Sequence, residues 1–233
     1  MNRFIPQNKE SAVDVVINNI KRLLLTKQLL PGDRLPNEMD LAKSLAVSRG
    51  SIREAMKILS AFGIVEVKQG DGTYIATSLG TALFDPLLFS FILAEPDLEE
   101  LAEFRQIMEI EVIKLIIKNA DEDALKKIEH AYLEMEQKVK NAEIDPTSLT
   151  KSDLNFHAAL GNATKNKLIE KTYEFIVKFF EPSIEKTHEN QKYGLNALHI
   201  HKEILDCLKE KNLDKAIKAI ENSVSVWIDL MST

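Results

Sequence analysis

Two residues of metal-ligand type, Asp153 and His157, stand four positions apart in a segment with helical periodicity. Residues i and i+4 share one face of a helix, so a carboxylate oxygen and an imidazole nitrogen at this spacing could hold one cation. An exposed Asp/His pair without metal is the commoner result of the same spacing. Both readings stay open on spacing alone.

The remaining histidines differ in their surroundings. His201 falls on a helical stripe of leucines, which predicts a buried imidazole, whereas His199 lies among charged residues and is predicted to be solvated. A buried histidine is more often a hydrogen-bonded core residue than a ligand. His130 and His188 have no such apolar context and are predicted to lie on the surface.

Arg105 shares a stripe with Leu101, Met108 and Val112, which predicts a partly buried guanidinium in need of a partner. An ion pair with Glu109, four residues on, is one solution. Recognition of a carboxylate on a small effector is the other, because the guanidinium can donate two parallel hydrogen bonds. The two roles are compatible.

Two further arginines, Arg49 and Arg53, fall on the exposed side of a short predicted helix that begins near Ser48. An arginine there can donate two hydrogen bonds to guanine O6 and N7. Ser48 and Ser51 are small enough to let the helix approach DNA, and they can donate to phosphates. The alternative is a solvated helix face on which Arg53 pairs with Glu54 or Asp40.

The surrounding elements favour the DNA-binding interpretation. Helical periodicity over 13–25 ends at a Pro-Gly turn, a second helix follows Asn37 as N-cap, and the third begins near Ser48 and closes at Gly63. Only Ala46-Val47 separates the last two helices, as in a helix-turn-helix. Alternating residues at 64–68 and 73–76, around Gly70-Asp71-Gly72, predict a β-hairpin. This order is typical of a winged helix.

From residue 97 onward apolar stripes recur at helical spacing, and no strand pattern is present. The predicted fold class is mainly α, with an N-terminal winged helix-turn-helix followed by an all-α helical bundle. The predicted divisions are 1–77, a linker or connecting helix at 78–96, and 97–233. Helices are expected near 97–119, 121–141, 147–162, 165–181, 183–192, 195–210 and 213–230.

Composition is that of a globular protein: 233 residues, 45% hydrophobic and 28% charged. Residues 1–77 hold 11 basic and 8 acidic residues and carry +3, whereas the remaining 19 basic and 28 acidic residues give −9. A basic N-terminal segment followed by an acidic remainder fits a protein that binds nucleic-acid phosphates through its N-terminal segment only. The single cysteine excludes an internal disulfide, and the N-terminus has no secretory h-region, which predicts a cytoplasmic location away from membranes.

Several segments resemble the N-terminal signature of GntR-family regulators. The matching segments are Pro31-Gly32-Asp33-Arg34-Leu35-Pro36-Asn37-Glu38, Leu41-Ala42, Val47-Ser48-Arg49, Ile52-Arg53-Glu54-Ala55, Leu59, Gly63 and Gly70-Asp71-Gly72. The helical remainder is similar to the FCD effector domain of the FadR-like subfamily, through Glu103-Phe104-Arg105, Glu109 and Asp153-Leu154-Asn155-Phe156-His157. Together the two resemblances cover nearly the whole chain.

The resemblance implies a DNA-binding head on residues 1–77 and an effector-binding, dimerising domain on 97–233. The implied DNA contacts are Ser48, Arg49, Gly50, Ser51, Arg53, Gln69 and Gly70. Relatives often carry another arginine where this chain has Met39, which cannot donate to a base or phosphate. Operator preference is therefore expected to differ.

The resemblance also implies a divalent metal, Zn or Ni, held by Asp153, His157 and His201. The position of a fourth ligand histidine falls on Ser223, a poor ligand for a borderline cation, so these residues either form a three-ligand site or no longer bind metal. Three protein ligands leave positions for water or an effector carboxylate. Arg105 is the expected partner of that carboxylate.

These observations predict a bacterial transcription repressor that binds a pseudo-palindromic operator as a homodimer and responds to a small organic acid. One alternative is a metal-free regulator that responds to acyl-CoA. Another is a metal-dependent enzyme that uses Asp153, His157 and His201 around an activated water, although no general base or nucleophile accompanies them in the sequence and it leaves the head unexplained.

Overall fold

The structure, a computed structural model, describes residues 10–77, 84–140 and 145–232. It divides into two compact units, Met1–Ser90 and Phe91–Thr233. The elements are α1 (Ala12–Leu25), α2 (Glu38–Leu45), α3 (Arg49–Ala61), β1 (Val65–Lys68), β2 (Gly72–Ile75), α4 (Phe84–Leu93), α5 (Leu98–Asn119), α6 (Glu122–Lys140), α7 (Pro146–Ala163), α8 (Lys167–Glu189), α9 (Gln191–Glu210) and α10 (Leu213–Met231). The predicted fold class is confirmed.

Local chemistry sets the helix starts in the first unit. Asn37 caps α2 by accepting from the backbone N–H groups of Met39 and Asp40, and Ser48 caps α3 by accepting from that of Ser51. Between the two helices Ala46 adopts a left-handed conformation, which turns the chain within two residues. The helix-turn-helix thus rests on two side-chain caps and one turn.

The predicted hairpin is present. Val65 pairs with Ile75 and Lys68 with Gly72 in an antiparallel ladder, and Gly70 takes φ +78° at its tip. The segment before α2 joins this ladder, because the Leu35 N–H donates to the Thr73 carbonyl at 2.8 Å. The wing is therefore tied to the helices through the backbone.

One hydrophobic core supports α3. Ile52 and Leu59 on the inner side of α3 pack in a buried cluster with Val16 and Ile20 of α1 and with Val65 of β1. Burial of this stripe leaves the opposite side of α3 to solvent, as its helical period requires. The packing thereby fixes which α3 residues face outward.

The second unit contains the helices α5 to α10, and α4 lies at the division between the units. Within the predicted connection at 78–96, residues 78–83 lie outside the described ranges. The predicted domain limits at 77 and 97 stay predictions. In the described parts of the chain, no helix combines the length and apolarity that a membrane span requires.

The predicted break between segments 165–181 and 183–192 is wrong. Pro182 lies inside the continuous helix α8, and Gly194 lies inside α9 rather than before it. A proline removes one helical hydrogen bond, but Phe180 and Ile184 on either side are both buried. Their tertiary packing holds the helix together across the proline.

Candidate functional site

Three ligand-type side chains from two helices meet inside the second unit. Asp153 and His157 come from α7 and His201 from α9, all three are buried, and one ligand atom from each lies within 4.8 Å of the others. Helix α7 packs against α5, α6 and α8, so the Asp153/His157 face is enclosed. The spacing of Asp153 and His157 alone does not show whether this face is buried or exposed.

The two oxygens of the Asp153 carboxylate have different partners. Oδ1 lies 3.2 Å from His157 Nε2 and 3.8 Å from His201 Nε2, yet it has no hydrogen bond of acceptable geometry among the described residues. Burial alone would raise the pKa of Asp153, but the adjacent imidazoles of His201, His157 and His188 hold that pKa well below its usual range. An ionised, buried oxygen without a donor is the kind of atom that a cation stabilises.

The neighbouring imidazoles are arranged as metal ligands would be. His157 Nδ1 lies 2.7 Å from the hydroxyl of Tyr173; with Nε2 turned to a metal, Nδ1 carries the proton and donates to that oxygen. The ring of His201 stacks on Phe156 at 4.3 Å. Burial lowers the pKa of His201 to about 4, which leaves its ring neutral near pH 7.

The donor set fits a divalent cation. Metal bonds of about 2.0–2.1 Å place neighbouring ligand atoms roughly 3.0–3.4 Å apart, near the 3.2 Å and 3.8 Å that separate Asp153 Oδ1 from the two imidazole nitrogens. Two imidazoles and one carboxylate suit borderline ions such as Zn²⁺ or Ni²⁺. Asp153, His157 and His201 are the residues that would hold such an ion.

Arg105 on α5 lines the same cavity. Its side chain is only 11% exposed, and Nε donates to Glu109 Oε1 at 3.0 Å. The guanidinium lies over the ring of Trp227 at 5.5 Å, and its Nη2 points toward Ser223 Oγ at 3.5 Å. Glu109 balances the charge through Nε, which leaves the Nη side of the fork directed toward the cavity.

The cavity is small, with a volume of about 40 Å³. One water needs at least about 10–15 Å³ of such volume, so the space fits an ion with one or two further ligand atoms. The lining includes Arg105, the three ligand-type residues and half-buried Ser223, together with apolar side chains such as Ile200 and Leu230. Ser223 thus stands beside the expected ligands without supplying an imidazole.

The surface prediction for His188 is wrong. Its side chain on α8 is 0% exposed, and Nε2 lies 2.8 Å from Asp153 Oδ2. The signal was the spacing Phe180, Ile184, His188, which continues one buried stripe across Pro182. Ending the helix at the proline broke that stripe. His130, by contrast, is exposed as predicted.

A second candidate site lies on the outer side of α3. The side chains of Arg49 and Arg53 are 61% and 58% exposed, and both approach the Glu38 carboxylate of α2. Arg53 Nε lies 2.7 Å from Glu38 Oε2, and Arg49 Nη2 lies 3.9 Å from it. The predicted pairing of Arg53 with Glu54 or Asp40 is wrong, because its partner is Glu38, brought close by the packing of α2 against α3. Only Nε of Arg53 makes this contact, which leaves its Nη donors for another acceptor.

The hydroxyls of Ser48 and Ser51 lie within hydrogen-bond distance of each other. Their hydroxyl oxygens lie 2.9 Å apart, and Ser48 Oγ also accepts from the Ser51 N–H at 3.0 Å. Gly50 lies beside them in the first turn of α3, where a Cβ would stand 3.5 Å from Ser48 Oγ. The structure thus assigns Ser48 a capping role in addition to any contact with DNA.

Replacing Ser48 with alanine should lower the free energy of unfolding of the N-terminal unit by about 1 kcal/mol, the usual worth of an N-cap side chain. Urea denaturation followed by circular dichroism measures the change. Ser44→Ala is the matched control, because Ser44 is an exposed residue inside α2. Equal stabilities of the two variants would contradict the capping role.

A further basic side chain, Arg34, lies beside the wing. Gln69 and Gly70 lie exposed at its tip, as predicted, while exposed Arg34 forms a bridge to Tyr74 and donates to the Asp71 carbonyl. In the sequence, Arg34 stands out only as part of the Pro31–Glu38 motif. The sequence feature that could have identified it is a basic side chain in the segment that pairs with the hairpin. Met39 is exposed on the first turn of α2, where it offers no donor.

Comparisons with known proteins agree with both halves of this arrangement. The model described as "Bacterial regulatory proteins, gntR family" matches residues 12–75, which include α1 to β2. The FCD domain model matches residues 100–225, which include Arg105, the three ligand-type residues and Ser223. Each match covers one of the two candidate sites.

Individual relatives extend the similarity along the chain. The HTH-type transcriptional regulator LutR of Bacillus subtilis is 33% identical over 70% of this chain and 72% of its own length. The Uxu operon transcriptional regulator of Escherichia coli is 28% identical over 83% of this chain and 76% of its own. A solved structure, Streptococcus agalactiae GntR, aligns with a TM-score of 0.68 and 28% identity over 95% of this chain and 100% of its own.

Proposed function

Because this chain belongs to the GntR family of transcription regulators and carries an FCD domain, we propose that it is a repressor released from its operator by a small carboxylate. The carboxylate would bind a divalent metal, Zn²⁺ or Ni²⁺, in the cavity of the second unit. The observation that carries this proposal is the convergence of Asp153, His157, His201 and Arg105 on that one cavity.

The chemistry of the cavity supports a small organic acid as effector. A cation bound by three protein ligands keeps positions for outside ligands, and a carboxylate oxygen fills one of them. The Nη side of Arg105 can donate to the same carboxylate. A pocket for a larger ligand commonly measures about 300–1,000 Å³, so an acyl-CoA would not fit into this cavity of about 40 Å³.

On the DNA side, the proposed readers are Arg49 and Arg53, with Gln69, Gly70 and Arg34 at or near the wing. A homodimer would place two copies of α3 in successive major grooves, which corresponds to a pseudo-palindromic operator. The effector must favour one arrangement of the heads over the other, and couplings of this kind are typically about 1–3 kcal/mol. The regulator relatives weigh against the enzyme alternative.

The test begins with selection of an operator from a random DNA library with the metal-loaded full chain. Titration with short hydroxy, keto and dicarboxylic acids should then weaken operator binding by roughly 5- to 150-fold for the correct acid. Trp227, the single tryptophan, lines the cavity and should report binding through its fluorescence. A footprint of one half-site by a monomer, or operator affinity that no acid changes, would overturn the proposal.

A further inference from the structure

His188 is a buried polar residue that neither metal coordination nor carboxylate binding uses. Its imidazole is 0% exposed, and no His188 atom belongs to the group of three ligand atoms within 4.8 Å. Burying an imidazole is costly unless it has a hydrogen-bond partner. That partner is Asp153, 35 positions away in the sequence and on another helix.

Because of this contact, the two oxygens of the Asp153 carboxylate face different partners. Oδ2 accepts from His188 Nε2 at 2.8 Å, whereas Oδ1 faces the Nε2 atoms of His157 and His201. An ionised carboxylate only accepts, so the proton of this hydrogen bond lies on His188. One fixed oxygen restricts rotation about the carboxylate, and the other is then aimed at the cation position.

The His188 ring is itself held in place. A Cβ on Gly194, in the first turns of α9, would lie only 3.3 Å from His188 Nδ1, so the glycine lets α9 pack directly against the ring. Among the described residues Nδ1 has no hydrogen-bond partner. Within the described part of the chain, the one hydrogen bond of this imidazole is thus the one that orients Asp153.

From this geometry, and resting on the metal site of the proposed function, we infer that His188 is a positioning residue that preorganises Asp153 for the cation. The role gains weight because the ligand group of the described residues has three members, so binding depends on the exact placement of each one. Removal of such outer partners typically lowers metal affinity about 10- to 100-fold.

The experiment compares Zn²⁺ affinity, by chelator competition, of the metal-stripped full chain and three variants. His188→Leu removes the donor at similar volume and should lower affinity about 10- to 100-fold. His188→Gln keeps an N–H near the position of Nε2 and should recover most of the loss. His130→Leu, at an exposed histidine, should bind as the parent does.

Two further readouts separate positioning from a general packing role. The absorption spectrum of the Co²⁺-loaded protein should change in His188→Leu and return toward the parent spectrum in His188→Gln. If His188→Leu does not fold, Gly194→Ala still tests the inference, because its methyl would press on His188 Nδ1. That variant should bind Zn²⁺ several-fold more weakly while circular dichroism stays unchanged.

The outcomes distinguish this inference from the function on which it rests. A parent chain without measurable Zn²⁺ or Co²⁺ binding overturns the metal site and this inference with it. A parent that binds, together with folded His188→Leu and Gly194→Ala variants of equal affinity and spectrum, overturns the positioning role alone. A lower melting temperature with unchanged affinity also overturns it, since packing explains that result.

Discussion

Arg53→Ala should weaken operator binding by roughly 5- to 150-fold for each half-site, because one arginine–guanine contact is worth about 1–3 kcal/mol of discrimination. Arg53 lies on the exposed side of α3 and uses Nε for Glu38, which leaves its Nη donors for the base. In a dimer on a two-fold operator the loss is counted twice, about 2–6 kcal/mol in total. Arg49→Ala should act in the same direction.

Fluorescence anisotropy with the selected operator and a scrambled duplex measures both the affinity and its sequence dependence. Arg22→Ala is the matched control, because it removes the same charge from an exposed position on α1. It should weaken both duplexes alike, as loss of a general electrostatic attraction does. If Arg53→Ala weakened both duplexes equally as well, Arg53 would be a phosphate contact and not a base reader.

Asp153→Asn should lower Zn²⁺ affinity by more than about 100-fold, beyond the 10- to 100-fold typical of outer partners. Asp153 Oδ1 is the anionic member of the ligand group, and a neutral amide oxygen in its place removes that charge from a buried position. Metal content by elemental analysis and affinity by chelator competition measure the effect. The operator response to the carboxylate should disappear with the metal.

Asp206→Asn provides the control for charge, since Asp206 on α9 has a side chain that is 48% exposed. It should keep the metal content of the parent chain. Full metal occupancy in Asp153→Asn would remove Asp153 from the site. Retained response to the acid without metal would instead assign effector binding to Arg105 alone.

The fold of the first unit was predictable because its signals are local. Asn37 and Ser48 mark helix starts by the chemistry of their own side chains, and the Gly70-Asp71-Gly72 turn marks the hairpin. These signals lie within a few residues of the structure they determine. These elements could therefore be predicted without knowledge of contacts between distant segments.

The second unit shows where local reading fails. Pro182 is a helix breaker by propensity, yet the buried neighbours Phe180 and Ile184 keep α8 continuous. Because the predicted helix ends at Pro182, His188 is predicted to lie on the surface, and its contact with Asp153 is missed. The enclosure of α7 by three other helices likewise depends on packing between distant segments, which no spacing within α7 encodes.

In the proposed DNA-binding role of Arg49 and Arg53, Glu38 competes with DNA for both side chains. When a guanidinium leaves this carboxylate for DNA it forfeits an exposed ion pair, commonly worth less than about 1 kcal/mol. A random sequence repays that loss with phosphate charge alone, whereas a matching guanine adds two directed hydrogen bonds. The penalty is the same at both kinds of site and cancels in the difference between their affinities. It therefore weakens binding at right and wrong sites alike, and the proposed guanine contacts alone set the discrimination.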